Sequence, residues 1–352
     1  MIGIFKTKAL CLCVAFLALF GSTAVSVNAQ TAPKPYLQPI VVQPSPTPKS
    51  LIQKTGSVTP VVRDTVNPAD ITIPGYSGLL VETLDGKIIK ESSSNIPFNP
   101  ASNVKIATSY AVIKTFGPDY RFPTNVFTDG EIDRATGTLN GNLYVSGRDP
   151  VFNLEHAVAI ADALNRMGIR TINGDLIVTY SFIMSMSNST QRSANALLTT
   201  MSPHRSAAAV KSWQDYLSAK PNQTVTAFPS VTITGKAYVD VVPSNARLLF
   251  AHESTPLKEI VKVTMCYSNN FLAEKLGDML GGAYAVARTV QENIGVTPAE
   301  FSIQTSSGLG VNRVTPRAMM KLLHVFRSEL AKHKMTFGDV MPIAGVDPGT
   351  LK

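Results

Sequence analysis

The sequence predicts a mixed α/β (α+β) protein, with helices and strands near both ends of the chain and a long strand-rich insertion between them. Three observations predict it. A hairpin pattern near residue 80 runs directly into a capped helix. Two strongly periodic helices follow after residue 255. Between them, strand-like runs alternate with turns at short intervals.

Lys6 and Lys8 give the start a positive charge, and Ala9 to Phe20 is uncharged and apolar. Val27-Asn28-Ala29 then offers small residues for cleavage before Gln30, so residues 1–29 are expected to be a secretory signal and the protein exported. The apolar run is too short to span a bilayer comfortably; an uncleaved anchor is the alternative. Cys11 and Cys13 would leave with the signal, and neither follows the small residue of a lipid-attachment site. The mature chain then keeps Cys266 alone, which excludes an intramolecular disulfide. Cys266 is expected to be a small buried residue rather than a nucleophile. The formal charge of +8, or +6 without Lys6 and Lys8, is scattered and forms no Lys/Arg run. Nucleic acid is therefore not an expected partner, whereas a basic exported protein suits an anionic polymer.

Residues 30–74 are dense in proline and poor in large apolar side chains, the composition of an extended linker. They contain Lys54-Thr55-Gly56, but proline-flanked polar sequence makes a poor central strand. Gly78 to Thr83 and Lys87 to Glu91 read as strands around the Asp85-Gly86 turn. Asn99 and Pro100 open a helix that runs to Phe116 and stops at Gly117-Pro118. Residues 124–147 read as strand and turn, divided at Asn140-Gly141. Asn153 to Met167 reads as helix, and Ile172 to Thr179 and Val231 to Val241 as strands. Residues 181–230 are polar and receive no element, and no internal repeat is expected. Thr255-Pro256 opens a helix with apolar Leu257, Ile260, Val261 and Met265. Leu272, Leu276, Met279 and Leu280 mark a second, and Pro316 to Leu330 is a further helix.

The chemistry rests on Ser102 and Lys105, which share one face of the first helical turn. A serine hydroxyl needs a base, and a lysine kept partly neutral by burial can serve. The helix start adds backbone N–H groups and a positive dipole end for a developing oxyanion. Ser-x-x-Lys occurs once; Ser-x-Asn recurs, but only Ser268-Asn269-Asn270 lies between two strong helices. There Ser268 can relay a proton towards the leaving group, and the Asn270 amide can bind substrate and Lys105. His156, His204, His252, His324 and His333 are dispersed, with no metal-ligand spacing, and there is no phosphate loop and no Gly-x-Ser-x-Gly elbow.

Pro100 to Lys105 followed by Gly117 to Phe122 resembles the class C penicillin-binding proteins, the D-alanyl-D-alanine carboxypeptidases and endopeptidases of the cell wall. The resemblance continues in Leu143 to Pro150, Gly168 to Leu176, Tyr267 to Glu274, Ser307-Gly308-Leu309 with Asn312-Arg313, and Pro342 to Asp347. It implies a penicillin-binding-protein/β-lactamase-like transpeptidase fold, helices on an antiparallel sheet, built from residues 75–125 and 250–352. Residues 126–249 would form an inserted, mostly β accessory domain. It implies Ser102 as acylated nucleophile, Lys105 as base, and Ser268 and Asn270 as the second catalytic element. The implied substrate is a peptidoglycan stem peptide ending in D-Ala-D-Ala, with β-lactams as inhibitors and no metal or organic cofactor. The implied setting is the periplasm or another extracytoplasmic space, without a stable membrane anchor after signal cleavage. The family's Lys-Thr-Gly would follow the segment around Asp347, so the resemblance also implies missing C-terminal strands and weak turnover by these residues alone. The alternatives are a non-catalytic peptidoglycan-binding relative and a serine β-lactamase; the long insertion between Ser102 and Ser268 argues against the latter.

Overall fold

The computed structural model describes residues 77–218 and 228–351. The expected signal, the proline-rich linker, Cys11, Cys13 and Lys54-Thr55-Gly56 lie outside the described residues. β1 (Leu79–Glu82) and β2 (Ile88–Ser92) pair antiparallel. The turn between them places Gly86 at φ 88° and is closed by Gly86 N–H donating to Thr83 O at 2.9 Å. A 3-10 turn, Ala101–Asn103, then leads into α1 (Val104–Phe116). α1 is buried on almost every side, as the mixture of Ala107, Tyr110, Ala111 and Ile113 around its circumference requires.

The next strands are β3 (Pro123–Thr128), β4 (Glu131–Asp133), β5 (Thr138–Asn140) and β6 (Leu143–Gly147). After α2 (Leu154–Arg166) come β7 (Thr171–Asn173) and β8 (Leu176–Val178). Two helices, α3 (Thr190–Met201) and α4 (Ala207–Ser218), precede β9 (Thr232–Ile233), β10 (Ala237–Val239) and β11 (Arg247–Glu253). A five-stranded sheet has the order β10-β8-β6-β3-β11, and a four-stranded sheet has the order β4-β5-β7-β9. Residues 126–249 are therefore more helical than the mostly β domain expected there. Their core packs α2, α3 and α4 with these strands through residues such as Phe152, Ile160, Leu176, Leu197 and Trp213.

The two sheets also correct the expectation of no repeat. Thr138 to Val145 reads TLNGNLYV, Thr171 to Val178 reads TINGDLIV, and Thr232 to Val239 reads TITGKAYV. The three copies lie side by side in parallel register, Thr138 opposite Thr171 and Thr171 opposite Thr232, with Leu143 opposite Leu176 and Leu176 opposite Ala237. Each copy contributes one strand to each sheet and crosses between them at its glycine. A Cβ on Gly174 would meet Gly141 O at 2.2 Å, and one on Gly235 would meet Gly174 O at 2.5 Å. The crossing holds glycine because the backbones leave no space for a side chain. The runs Ile172–Thr179 and Val231–Val241, expected as single strands, are split at these glycines.

The chain then returns to helices: α5 (Leu257–Cys266), α6 (Asn270–Asp278), α7 (Ala283–Ile294) and, after the short pair β12 (Phe301–Ser302) and β13 (Arg313–Val314), α8 (Pro316–Lys332). α7 has no counterpart among the sequence-based expectations. A second core joins α1 to these helices through Tyr110, Ile113, Val261, Leu276, Val290, Leu322 and Phe326. Arg317 and His324 of α8 bind Glu91 and Glu82 of the hairpin, fixing β1 and β2 on this helical layer. Among the described residues no helix is long and apolar enough to cross a membrane.

Candidate active site

The Asn99 side chain accepts from Ala101 N–H at 3.1 Å and donates to Gly310 O at 3.2 Å, so it braces the entry to the turn and ties it to the 307–310 loop. Ala101 takes φ 48° and Ser268 takes φ 49°, left-handed conformations that cost a non-glycine residue energy and recur at functional sites. Ser268 occupies the turn from α5 to α6. Asn269 caps α6, accepting from Leu272 N–H at 3.0 Å, which leaves Asn270 as the first residue of that helix.

These constraints bring together all four residues expected from the sequence. Lys105 Nζ donates to Ser102 Oγ at 3.2 Å and to Asn270 Oδ1 at 2.7 Å, and Ser268 Oγ donates to Ser102 Oγ at 3.0 Å. Lys105 is 1% exposed, whereas Ser102 is open to solvent. Burial pushes the Lys105 amine below the ordinary lysine range, and the Glu274 carboxylate partly opposes that shift.

A fifth participant is a backbone atom. Lys105 Nζ donates to Ser307 O at 2.7 Å, so its three protons have three acceptors. Losing one proton leaves two N–H groups, which the two closer acceptors, Asn270 Oδ1 and Ser307 O, can retain. The lone pair then faces Ser102 Oγ, the most distant of the three. The arrangement can thus take a proton from a serine hydroxyl and return it.

Sequence reasoning missed the groups around Ser307. Glu274 accepts from Ser306 N–H at 3.1 Å and Ser307 N–H at 2.9 Å, and Thr108 Oγ1 donates to Ser306 O at 2.6 Å. Glu274 and Ser307 stand within motif segments, but a backbone carbonyl has no signature of its own in sequence. Cys266 is buried and free, and burial raises its thiol pKa, which disfavours the nucleophilic thiolate. A cleft of about 340 Å³, lined by residues including Arg148, Tyr180, Ser187, Lys275 and Met279, runs beside α6. Asn269 Nδ2 approaches Met186 Sδ at 3.5 Å, so the segment around Met186 reaches the Ser268–Asn270 turn.

Comparison with known proteins matches residues 74–230 and 228–352 to the D-Ala-D-Ala carboxypeptidase 3 (S13) family. A D-alanyl-D-alanine carboxypeptidase of Actinomadura sp. (strain R39) is 32% identical over 99 residues, covering 28% of this chain and 18% of that protein. Carboxypeptidase DacB of Mycolicibacterium smegmatis is 24% identical over 382 residues, covering 96% of this chain and 79% of that protein. Among solved structures, the penicillin G-acylated predatory endopeptidase of Bdellovibrio bacteriovorus, in complex with an immunity protein, superposes with a TM-score of 0.60 at 22% identity. That match covers 73% of this chain and 68% of the endopeptidase, and it shows a shared fold.

Proposed function

The chain belongs to the D-Ala-D-Ala carboxypeptidase 3 (S13) family, and from that premise we propose that it is a serine-type D-Ala-D-Ala carboxypeptidase or endopeptidase acting on peptidoglycan stem peptides. The observation that carries the reading is the Lys105 amine, buried and held among Ser102 Oγ, Asn270 Oδ1 and Ser307 O. In this reading neutral Lys105 takes the Ser102 proton as Oγ attacks the carbonyl carbon of the penultimate D-alanine. The Ser102 backbone N–H favours the oxyanion, since the Ala101 and Asn103 N–H groups are held by Asn99 Oδ1 and Pro100 O. Ser268, 3.0 Å from Ser102 Oγ, passes the proton to the departing amine as the peptide bond breaks and terminal D-alanine leaves. Water then attacks the Ser102 ester, Lys105 takes its proton, and the shortened peptide departs as Ser102 regains its own. Asn270, which already binds Lys105, orients the substrate with its amide.

A strained β-lactam carbonyl would acylate Ser102 in the same way. Action on cell-wall peptides implies an extracytoplasmic site, and export through residues 1–29 to the periplasm is the finer proposal. Residues 126–249 are read as the inserted accessory domain, supported by their own core beside that of α1 and α5–α8.

The test is D-alanine release from a stem peptide ending in D-Ala-D-Ala by the protein purified from its own host, with Ser102→Ala as control. Release that disappears in the variant supports the reading. Peptide binding without release would favour the non-catalytic relative, and rapid hydrolysis of penicillin without peptide cleavage would favour a β-lactamase.

A further inference from the structure

The backbone at Ser306 and Ser307 is gripped from two sides. Both N–H groups donate to the single carboxylate of Glu274 on α6, at 3.1 and 2.9 Å. Both carbonyls accept from α1: Ser306 O from Thr108 Oγ1 at 2.6 Å and Ser307 O from Lys105 Nζ at 2.7 Å. A Cβ on Gly277, one helical turn beyond Glu274, would lie 1.9 Å from Ser306 Oγ, so α6 packs directly on this segment. The segment is therefore a bridge between the helix carrying the lysine and the helix carrying Asn270. Its register determines where the Ser307 carbonyl lies.

We propose that Glu274 is the positioning residue of this site, fixing through the Ser306 and Ser307 N–H groups the carbonyl that aims the Lys105 lone pair at Ser102. The proposal rests on the acyl-transfer reading above and adds a residue that touches neither substrate nor nucleophile. Glu274 has two separable effects. Its reach holds the carbonyl, and its charge favours protonated Lys105. Among the described groups, Glu274 is the charged partner acting on this amine; Ser102, Asn270 and Ser307 contribute neutral hydrogen-bonding atoms.

Two variants of the full chain separate these effects. Glu274→Gln keeps the length and loses the charge, and it can accept through only one oxygen. Glu274→Asp keeps the charge and loses one methylene of reach. Acylation by a fluorescent penicillin is measured against pH, with the lysine ammonium of each protein titrated by NMR and Lys105 assigned through Lys105→Arg. Acylation needs neutral Lys105, so removing the nearby negative charge moves the acid limb to lower pH. The expected result is a plateau rate lower by about tenfold or more in both variants, as loss of precise positioning costs. The acid limb moves to lower pH in Glu274→Gln and stays with the parent in Glu274→Asp. Parent-like plateaus, or an acid limb that is unmoved or shifted upward in Glu274→Gln, would overturn the proposal. A parent that is not acylated would refute the acyl-transfer reading instead. The NMR midpoint of Lys105 then decides the role of Glu274: lower in Glu274→Gln alone supports it, and equal in all three proteins overturns it. If Glu274→Gln does not fold, the Glu274→Asp plateau decides, or its Lys105 side-chain NMR shifts where the parent is inert, parent-like values overturning the proposal.

Discussion

Replacing Gly308 with alanine strikes the contact between the loop that holds Lys105 and the turn that holds Ser102. Gly308 has φ 93°, and an added Cβ would lie 1.9 Å from Ala101 O, 2.5 Å from Ala101 C and 3.1 Å from Ser102 N. Those are backbone atoms, so no side chain can swing aside, and the two segments must separate by about 1 Å to relieve the overlap. The left-handed backbone costs alanine about 1–2 kcal/mol and the overlap about 1–3 kcal/mol more, a total of about 2–5 kcal/mol of stability. The larger consequence is kinetic. Ser307 O and Ser102 Oγ would no longer sit together around Lys105, and a displacement of about 1 Å in a catalytic arrangement costs about 100-fold. The assay is the second-order rate of acylation by a fluorescent penicillin, alongside thermal melting. Gly295→Ala is the control: its φ of 63° imposes the backbone cost, but an added Cβ meets nothing within 4 Å. Gly308→Ala is expected to slow acylation about 100-fold while Gly295→Ala leaves it unchanged. A folded Gly308→Ala protein acylated within about threefold of the parent rate would refute the reasoning.

Two further perturbations probe buried charge. Lys262 Nζ donates to Gly338 O and Met341 O, both at 2.7 Å, and to Asp347 Oδ2 at 2.5 Å in a nearly solvent-free site. Asp347→Ala is expected to cost about 3–5 kcal/mol in chemical denaturation, because it leaves the Lys262 charge buried without its carboxylate; a loss below about 1 kcal/mol would contradict this. Asp149 is fully buried, and burial raises its carboxyl pKa to about 6, partly opposed by His156. The folded protein thus binds more protons than the unfolded chain between about pH 4 and 6, so stability falls as pH rises through that window and remains lower above it. Asp149→Asn keeps an acceptor for Val151 N–H and removes this dependence; urea melts that retain the parent's pH slope would contradict it.

The residues proposed to carry chemistry stand out in the sequence because their signals are local. Ser102 and Lys105 are one turn apart, and Ser268 to Asn270 stand where two amphipathic helices meet. The bridge at Ser306 and Ser307 was hidden because its working atoms are backbone carbonyls and its anchor, Glu274, looks like any glutamate on a helix. α3 was missed for a different reason. Its buried face holds Ser193, Ala194, Leu197, Thr200 and Met201, so the helical period is present but polar or small residues fill three of these five positions. Ser193 is tolerated there because its hydroxyl donates to Ser189 O at 3.0 Å and accepts from Met184 N–H at 3.1 Å. The repeat escaped notice because the copies are separated by 33 and 61 residues, one helix in the first interval and two in the second, which defeats a search for one fixed period.

The central claim is that Ser102 is the residue acylated, and mass spectrometry of the penicillin-treated protein tests it most directly. Trypsin should release Ser102 within the peptide from Glu91 to Lys105, which also contains Ser92, Ser93 and Ser94 as internal controls. The account predicts one penicilloyl group, on Ser102, absent after Ser102→Ala and formed more slowly after Lys105→Ala. An adduct on Ser268 or on Ser92 to Ser94, or one that persists in Ser102→Ala, would contradict it.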